Sequence, residues 1–325
     1  MFDCITVGGA TRDILFKIDN FRSKLKSKNK QYMCFQYGKK IIPEDVYFTF
    51  GGGALNSAVS MSRQGIKVAT VVNLGSHESS TSILNHMKKE KINTKYVYKS
   101  KDKKNYRGIS VFLVDEGTDY AAILHRGTND KLSLTNWSFL KKTKWIYVTS
   151  LTGKADKIID QLASRLKKSK IKLAWNPGSV QLKRGYKGLK KLIKLTEILI
   201  LNKQEAQDLV YSKESKIQCK TEKIISEIKS WGPKVVVVTE GADGAQVAFD
   251  GETVKVPIFK AKVIDTTGAG DSFGSTFVAS LISGYSPEKA LKLASINAAS
   301  VVEEYGAQEG LLRKSALLKK LKDYK

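Results

Sequence analysis

Two hydrophobic periods take turns along this chain. Short apolar runs at residues 2–7, 68–74, 145–149, 171–175, 198–201 and 235–238 show little polar alternation, which predicts strands buried on both faces. Between them lie stretches with helical spacing. Ser79 to Lys89 is one, and residues 155–167 are another, with Ile158, Ile159, Leu162 and Leu166 on one face. Phe273, Phe277, Val278 and Leu281 predict a further helix. Ser286-Pro287-Glu288 starts the next with a cap, a first-turn proline and an acid; it is expected to run to about Tyr305, closed by Gly306. Strands alternating with helices imply an α/β fold with parallel pairing, right-handed crossovers and helices on both faces of the sheet. Ligands in such sheets bind beyond the strand C-termini.

A second pattern interrupts the first. Residues 14–19, 32–37, 46–50, 108–114 and 121–124 are rich in aromatic and β-branched side chains, separated by polar turns such as Ser27-Lys28-Asn29-Lys30. They predict antiparallel strands of a small lid drawn from about residues 14–50 and 106–126. Phe21 to Ile42 is a longer insertion than a minimal lid needs.

Composition narrows the class. The 325 residues are long enough for one large unit with an appendage, and 42% hydrophobic content excludes a disordered chain. No apolar run nears the roughly 20 residues needed to cross a bilayer. Met1 to Val7 reads as a first strand with no leader, so a cytoplasmic protein with no membrane contact is expected. Cys4, Cys34 and Cys219 offer neither a disulfide framework nor a metal pair. The net charge of +25 admits nucleic-acid binding, but the lysines are spread over most predicted helices without interleaved aromatics. A solvated basic surface is the simpler reading.

The chemistry concentrates at Asp265-Thr266-Thr267-Gly268-Ala269-Gly270-Asp271. Small residues there form a tight loop that opens a helix, leaving backbone N–H groups for an anion. Asp271 either caps that helix or acts beside the bound anion, taking a proton from an attacking hydroxyl during phosphoryl transfer. Gly268, Ala269 and Gly270 would then supply amides that stabilise the phosphoryl group. No GxxxxGK[ST] loop is present, and His77, His86 and His125 are scattered.

Asp265 to Phe273 resembles the C-terminal signature of the PfkB carbohydrate kinases, the ribokinase-like family, and Gly51-Gly52-Gly53-Ala54-Leu55-Asn56-Ser57-Ala58-Val59 resembles the N-terminal one. The resemblance implies a three-layer α/β/α domain over residues 1–325, a mostly parallel sheet, and a small β-sheet lid over the sugar. It implies an ATP-dependent kinase acting on a hydroxymethyl group of a sugar or nucleoside, with Mg2+ and, in several members, K+ near Asp265, Thr267 and the segment Gly306-Ala307-Gln308. By the same resemblance Asp13, Gly52, Gly53 and Asn56 bind substrate, while Thr239, Gly241, Gly244 and Asn297 bind nucleotide. Asn202 and Glu205 match an NxxE motif of the Mg2+ and phosphate region, although Asn followed three residues later by Glu is also a capping box. Arg107 and Arg126 lie in the lid region and either meet a substrate anion or are solvated. Ribose, fructose, a keto-deoxy sugar acid and a nucleoside all stay open as substrates. The acid that several sugar kinases carry after the mid-chain strand is not evident in Thr149-Ser150-Leu151-Thr152. Exposed lid edges allow a homodimer. The rival from another class is a non-catalytic member that binds nucleic acid or a protein through its basic surface.

Overall fold

The apolar runs pair side by side, as their lack of alternation requires. In the computed structural model, which describes residues 1–18, 24–27, 30–100, 108–114, 120–213 and 220–324, eight strands form the central sheet. From one edge the order is Glu252–Val256, Ala245–Phe249, Val235–Thr239, Ile198–Asn202, Lys172–Trp175, Thr143–Val148, Phe2–Val7 and Val68–Val71. The last six named are parallel, and the two at the start join antiparallel.

Both faces are covered, and the strands divide their side chains between them. Ile146, Val148, Leu199, Leu201, Val236 and Val238 pack on one side against Leu162, Leu189 and Ile225 of the outer helices. Tyr147, Ile198, Ile200 and Val237 point to the other side, where they meet Phe273, Phe277 and Leu291. This period-two division explains why neither face left a polar stripe in the sequence. The helix Ala269–Ile282 thus lies directly on the sheet, beside Gly53–Arg63 and Pro287–Val301. Pro287–Val301 ends four residues before the expected Tyr305, the chain continuing in turns to Gly306.

The lid is a separate four-stranded sheet in the order Tyr120–His125, Ile109–Val114, Thr11–Lys17, Asp45–Gly51. Its central pair corrects the antiparallel expectation, because Thr11–Lys17 and Ile109–Val114 run parallel. The chain leaves the lid after residue 51, builds the helix Gly53–Arg63, the sheet strand Val68–Val71 and the helix Glu78–Lys89, and re-enters in the original direction. Leu15, Phe112 and Val114 form its small core against Tyr47 and Tyr305. The expected strand at 32–37 is also corrected: Lys30–Met33 pairs with Lys24–Ser27 in a hairpin of its own, and residues 34–44 are irregular. Parts of the 21–42 insertion, Arg107 and Cys219 lie outside the described residues. Among the described residues no helix is long and apolar enough to cross a membrane.

Phe277 is fully buried between its helix and the sheet. Phe277→Ala is expected to lower unfolding free energy by about 3–5 kcal/mol in urea titration; a loss under about 1 kcal/mol would contradict this packing.

Candidate active site

The loop at 265–270 is tied down before its helix starts. Asp265 is 2% exposed, and its two carboxylate oxygens accept from the Thr267 and Gly306 N–H groups, each at 2.9 Å. Gly268 caps the helix at φ 80°, and a Cβ there would stand 2.5 Å from the Ala307 Cβ. Glycine is required on both counts. A Cβ on Gly270 would meet nothing within 4 Å, so that residue faces open space. The Ser272 N–H closes the first turn on the Gly268 carbonyl at 2.8 Å, and the Ala269 N–H leans on the Thr266 carbonyl at 3.3 Å. Of the three amides expected to meet an anion, Ala269's is therefore already partly engaged. Gly270 has no acceptor one turn back in its own helix.

Asp271 stands in that first turn. Asn56, from the helix after the triple glycine, donates its Nδ2–H to Asp271 Oδ2 at 2.8 Å, joining residues 215 positions apart. Burial pushes the Asp271 carboxyl above its ordinary range, and the Asn56 bond partly restrains it.

Asp13 forms the other side. It sits on the lid strand opposite Thr49, 4% exposed, and its Oδ1 is buried without a partner. Burial raises its pKa against hydrogen bonds from Thr11 and Ser110 and the nearby Arg12 charge. A Cβ on Gly51 would lie 1.8 Å from Asp13 Oδ2, so this glycine exists to admit the carboxylate. Gly52 lies against the Gly9 backbone and Gly53 against the Thr149 side chain, which gives both a packing role. Asn129 escaped the sequence reading. It clamps the strand-end turn through both backbone groups of Ala10, each at 3.1 Å. Within Gly127-Thr128-Asn129-Asp130 nothing distinguishes it from an ordinary turn residue.

A cavity of about 420 Å³ opens beside the helix start, lined on that side by Thr266, Ala269, Gly270 and Phe273. Thr239, Gly241 and Gly244, expected at the nucleotide, line it too, and Ile258, Phe259, Val263 and Val302 make its walls apolar. Asn297 is not among the lining residues, which corrects its expected place. It is fully buried, donating to Thr276 Oγ1 and accepting from the Leu312 N–H, both at 2.8 Å. Its amide is spent holding the C-terminal segment onto the helix pair.

Asn202 and Glu205 also lie outside that lining. Each caps the other's backbone, at 2.8 and 2.9 Å, so the capping box is real. They sit one strand over from Thr239, which pairs with Asn202. Asn176 donates to the Ile200 carbonyl at 3.0 Å, and Arg126 is exposed. Among the described residues no three His, Cys, Asp or Glu side chains converge on a metal position. Any Mg2+ would need further oxygens from phosphates, the usual arrangement for that ion. Thr267 Oγ1 is buried without a partner, which fits a cation ligand beside Asp265.

Glu240 was missed as well. Its side chain, 4% exposed, accepts from Thr221 Oγ1 at 2.6 Å, Gln246 Nε2 at 3.0 Å and Lys255 Nζ at 3.1 Å. It thereby anchors the turn that lines the cavity.

Residues 23–314 match the pfkB family carbohydrate kinase. An uncharacterized sugar kinase of Archaeoglobus fulgidus is 29% identical over 259 residues, covering 78% of this chain and 99% of that protein. A ribokinase of Haemophilus influenzae is 26% identical over 281 residues, covering 84% and 88%. In shape the chain is similar to a nucleoside kinase of Burkholderia thailandensis solved with inosine, with TM-score 0.81, 18% identity, and 99% and 98% of the two chains covered.

Burial alone would raise the Glu240 carboxyl, but its three donors win and bring it from 4.5 down to about 2. The stability it contributes is fully present above about pH 4.5 and disappears as pH falls towards 2. Glu240→Gln should therefore be less stable than the parent at pH 7, with the gap narrowing by pH 3. Denaturant titration at both pH values checks this; an equal gap at both would contradict it.

Proposed function

The chain belongs to the pfkB family of carbohydrate kinases, and we propose that it transfers the terminal phosphoryl group of ATP to a hydroxymethyl oxygen of a sugar or nucleoside. The observation that carries this reading is the seat of Asp271: a half-buried carboxylate, held at Oδ2 by Asn56, one residue from the open Gly270 face of the cavity. A cavity of about 420 Å³ falls within the roughly 300–1,000 Å³ typical of small-molecule sites. Its apolar walls suit a purine, and the helix start suits the phosphates.

Asp271 Oδ1 takes the proton of the substrate hydroxyl as that oxygen bonds to the γ-phosphorus and the bond to ADP breaks. Gly268, Ala269 and Gly270 stabilise the transferring group through their N–H groups, Ala269 releasing Thr266 to do so. Burial of Asp271 strengthens its basicity at neutral pH. Asp13 receives substrate hydroxyls at its unpaired Oδ1. Magnesium supplies charge neutralisation on the phosphates when bound, and Asn202 and Glu205 would hold its water shell. Asp265 and Thr267 would hold a monovalent cation. We read residues 1–325 as one kinase unit. The edge strand Tyr120–His125, exposed along its length with Ile123 at 66%, supports pairing of two lids in a homodimer.

Asp271→Asn is expected to lower kcat about 10²- to 10⁴-fold while leaving the unfolding midpoint and ATP binding in place. The assay is ATP-dependent phosphorylation across ribose, fructose, a keto-deoxy sugar acid and adenosine. Full turnover by the variant would remove Asp271 from the role of base, and turnover of none by the parent would overturn the substrate class.

A further inference from the structure

Behind Asp271 runs a chain of hydrogen bonds that the reaction itself does not require. Asn56 Nδ2 donates to Asp271 Oδ2 at 2.8 Å, Gln308 Nε2 donates to Asn56 Oδ1 at 2.7 Å, and His86 Nε2 meets Gln308 Oε1 at 2.7 Å. Four separate segments contribute: the helices Gly53–Arg63, Glu78–Lys89 and Ala269–Ile282, and the turn after Gly306. Asn56 and Gln308 are 4% and 2% exposed, so water cannot easily replace a missing partner. Each amide has one donating and one accepting end. An ionised carboxylate only accepts, so Asn56 must turn its NH2 towards Asp271, Gln308 must turn its NH2 towards Asn56, and His86 must carry its hydrogen on Nε2.

His86 is built to stay in that role. Its ring stacks on Phe50 at 4.1 Å and 11°. Arg63 binds the Gln308 and Leu311 carbonyls at 3.0 and 2.8 Å and pairs with Glu90 at 2.7 Å, which fixes the turn carrying Gln308. Glu90, Arg63 and Glu309 are the charged groups that act on the His86 ring. Burial, seconded by the Arg63 charge, lowers its pKa against the Gln308 bond and the Glu90 and Glu309 carboxylates, favouring the neutral ring. Neutral with hydrogen on Nε2, or charged, the ring donates to Gln308 either way.

We propose that His86, acting through Gln308 and Asn56, is a positioning residue that fixes the direction of the amide chain and so reserves Asp271 Oδ1 for the substrate proton. This rests on Asp271 being the base. Once Asp271 has taken the proton, its carboxyl no longer dictates which way Asn56 faces. A reversed Asn56 would set its own Oδ1 against Asp271 Oδ2 and accept a proton carried on that oxygen instead of on Oδ1, which would favour the protonated acid and raise the pKa of the base. The far-end donor on His86 prevents the reversal, because a flipped Gln308 would set its NH2 against the His86 N–H.

His86→Phe keeps the stacked ring and deletes the donor, whereas His86→Gln restores an N–H at similar reach. The pH dependence of kcat and the KM for ATP are measured for both. In H86F the acidic limb should move up by about one pH unit, a loss of about tenfold in kcat along that limb, with KM for ATP unchanged and H86Q returning the limb towards the parent. Gln308→Met breaks the same chain without touching His86 and should give the same shift, which keeps the test open if H86F does not fold. A limb in H86F or Q308M that superposes on the parent overturns the proposal, as does an H86Q variant no better than H86F. Inactive D271N beside an unmoved H86F limb would sink this inference alone, while active D271N would sink the assignment of the base.

Discussion

Ala307 leaves no room for a side chain at position 268, and much of the site depends on that contact. It brings the C-terminal turn against the glycine loop, so the helix Ala269–Ile282 begins where the turn after Gly306 ends its approach. Asp265 fastens the same junction by accepting from N–H groups on both sides of it. With the loop pinned there, Gly270 is left facing the cavity and Asp271 faces Asn56. A loop free to drift by an ångström would lose both relations, since hydrogen bonds weaken steeply outside a narrow range of distance and angle.

The glycine loop and the alternating strands were legible because each is a local signal. Small residues before a helical period favour a tight loop, and short apolar runs bounded by turn residues and rich in β-branched side chains favour buried strands. Both expectations, and the α/β fold with parallel pairing they pointed to, agree with the structure, as does the ribokinase-like architecture that the family resemblance implied. Capping at Ser286 and Asn202 was equally readable, since a cap depends on residues three apart. What was not legible depends on pairing across long separations. The parallel direction of Thr11–Lys17 and Ile109–Val114 is set by where the chain re-enters the lid, and no residue in either strand encodes it.

The side chains missed have the same explanation. Asn129, Glu240 and His86 each act on a partner distant in sequence or held in a turn, and none belongs to a recognisable spacing; Gln308 was named only in the cation segment, and its bonds to Asn56 and His86 were not foreseen. Asn297 shows the converse. A polar residue on a predicted helix was assigned to the ligand, yet its amide is consumed by Thr276 and the Leu312 N–H, because a fully buried amide without partners would cost free energy. Burial, unknown at the level of sequence, decides between the two readings.

The two halves of the site divide the work in a way that follows from their surfaces. The cavity is mostly apolar, so affinity there comes from area removed from water and tolerates small shifts of the ligand. The carboxylates are polar, Asp13 buried and Asp271 half-buried, and there one unpaired atom matters. Asp13 Oδ1 has no partner, and it rides on a lid strand and not on the central sheet. A buried carboxylate oxygen without a donor carries a free-energy penalty. A substrate hydroxyl donating to Oδ1 would remove that penalty and so favour the arrangement in which the lid strand holds Asp13 in place. On the reading of Asp13 as a substrate ligand, the same oxygen that selects a polyol also couples its arrival to exclusion of water from the phosphoryl donor.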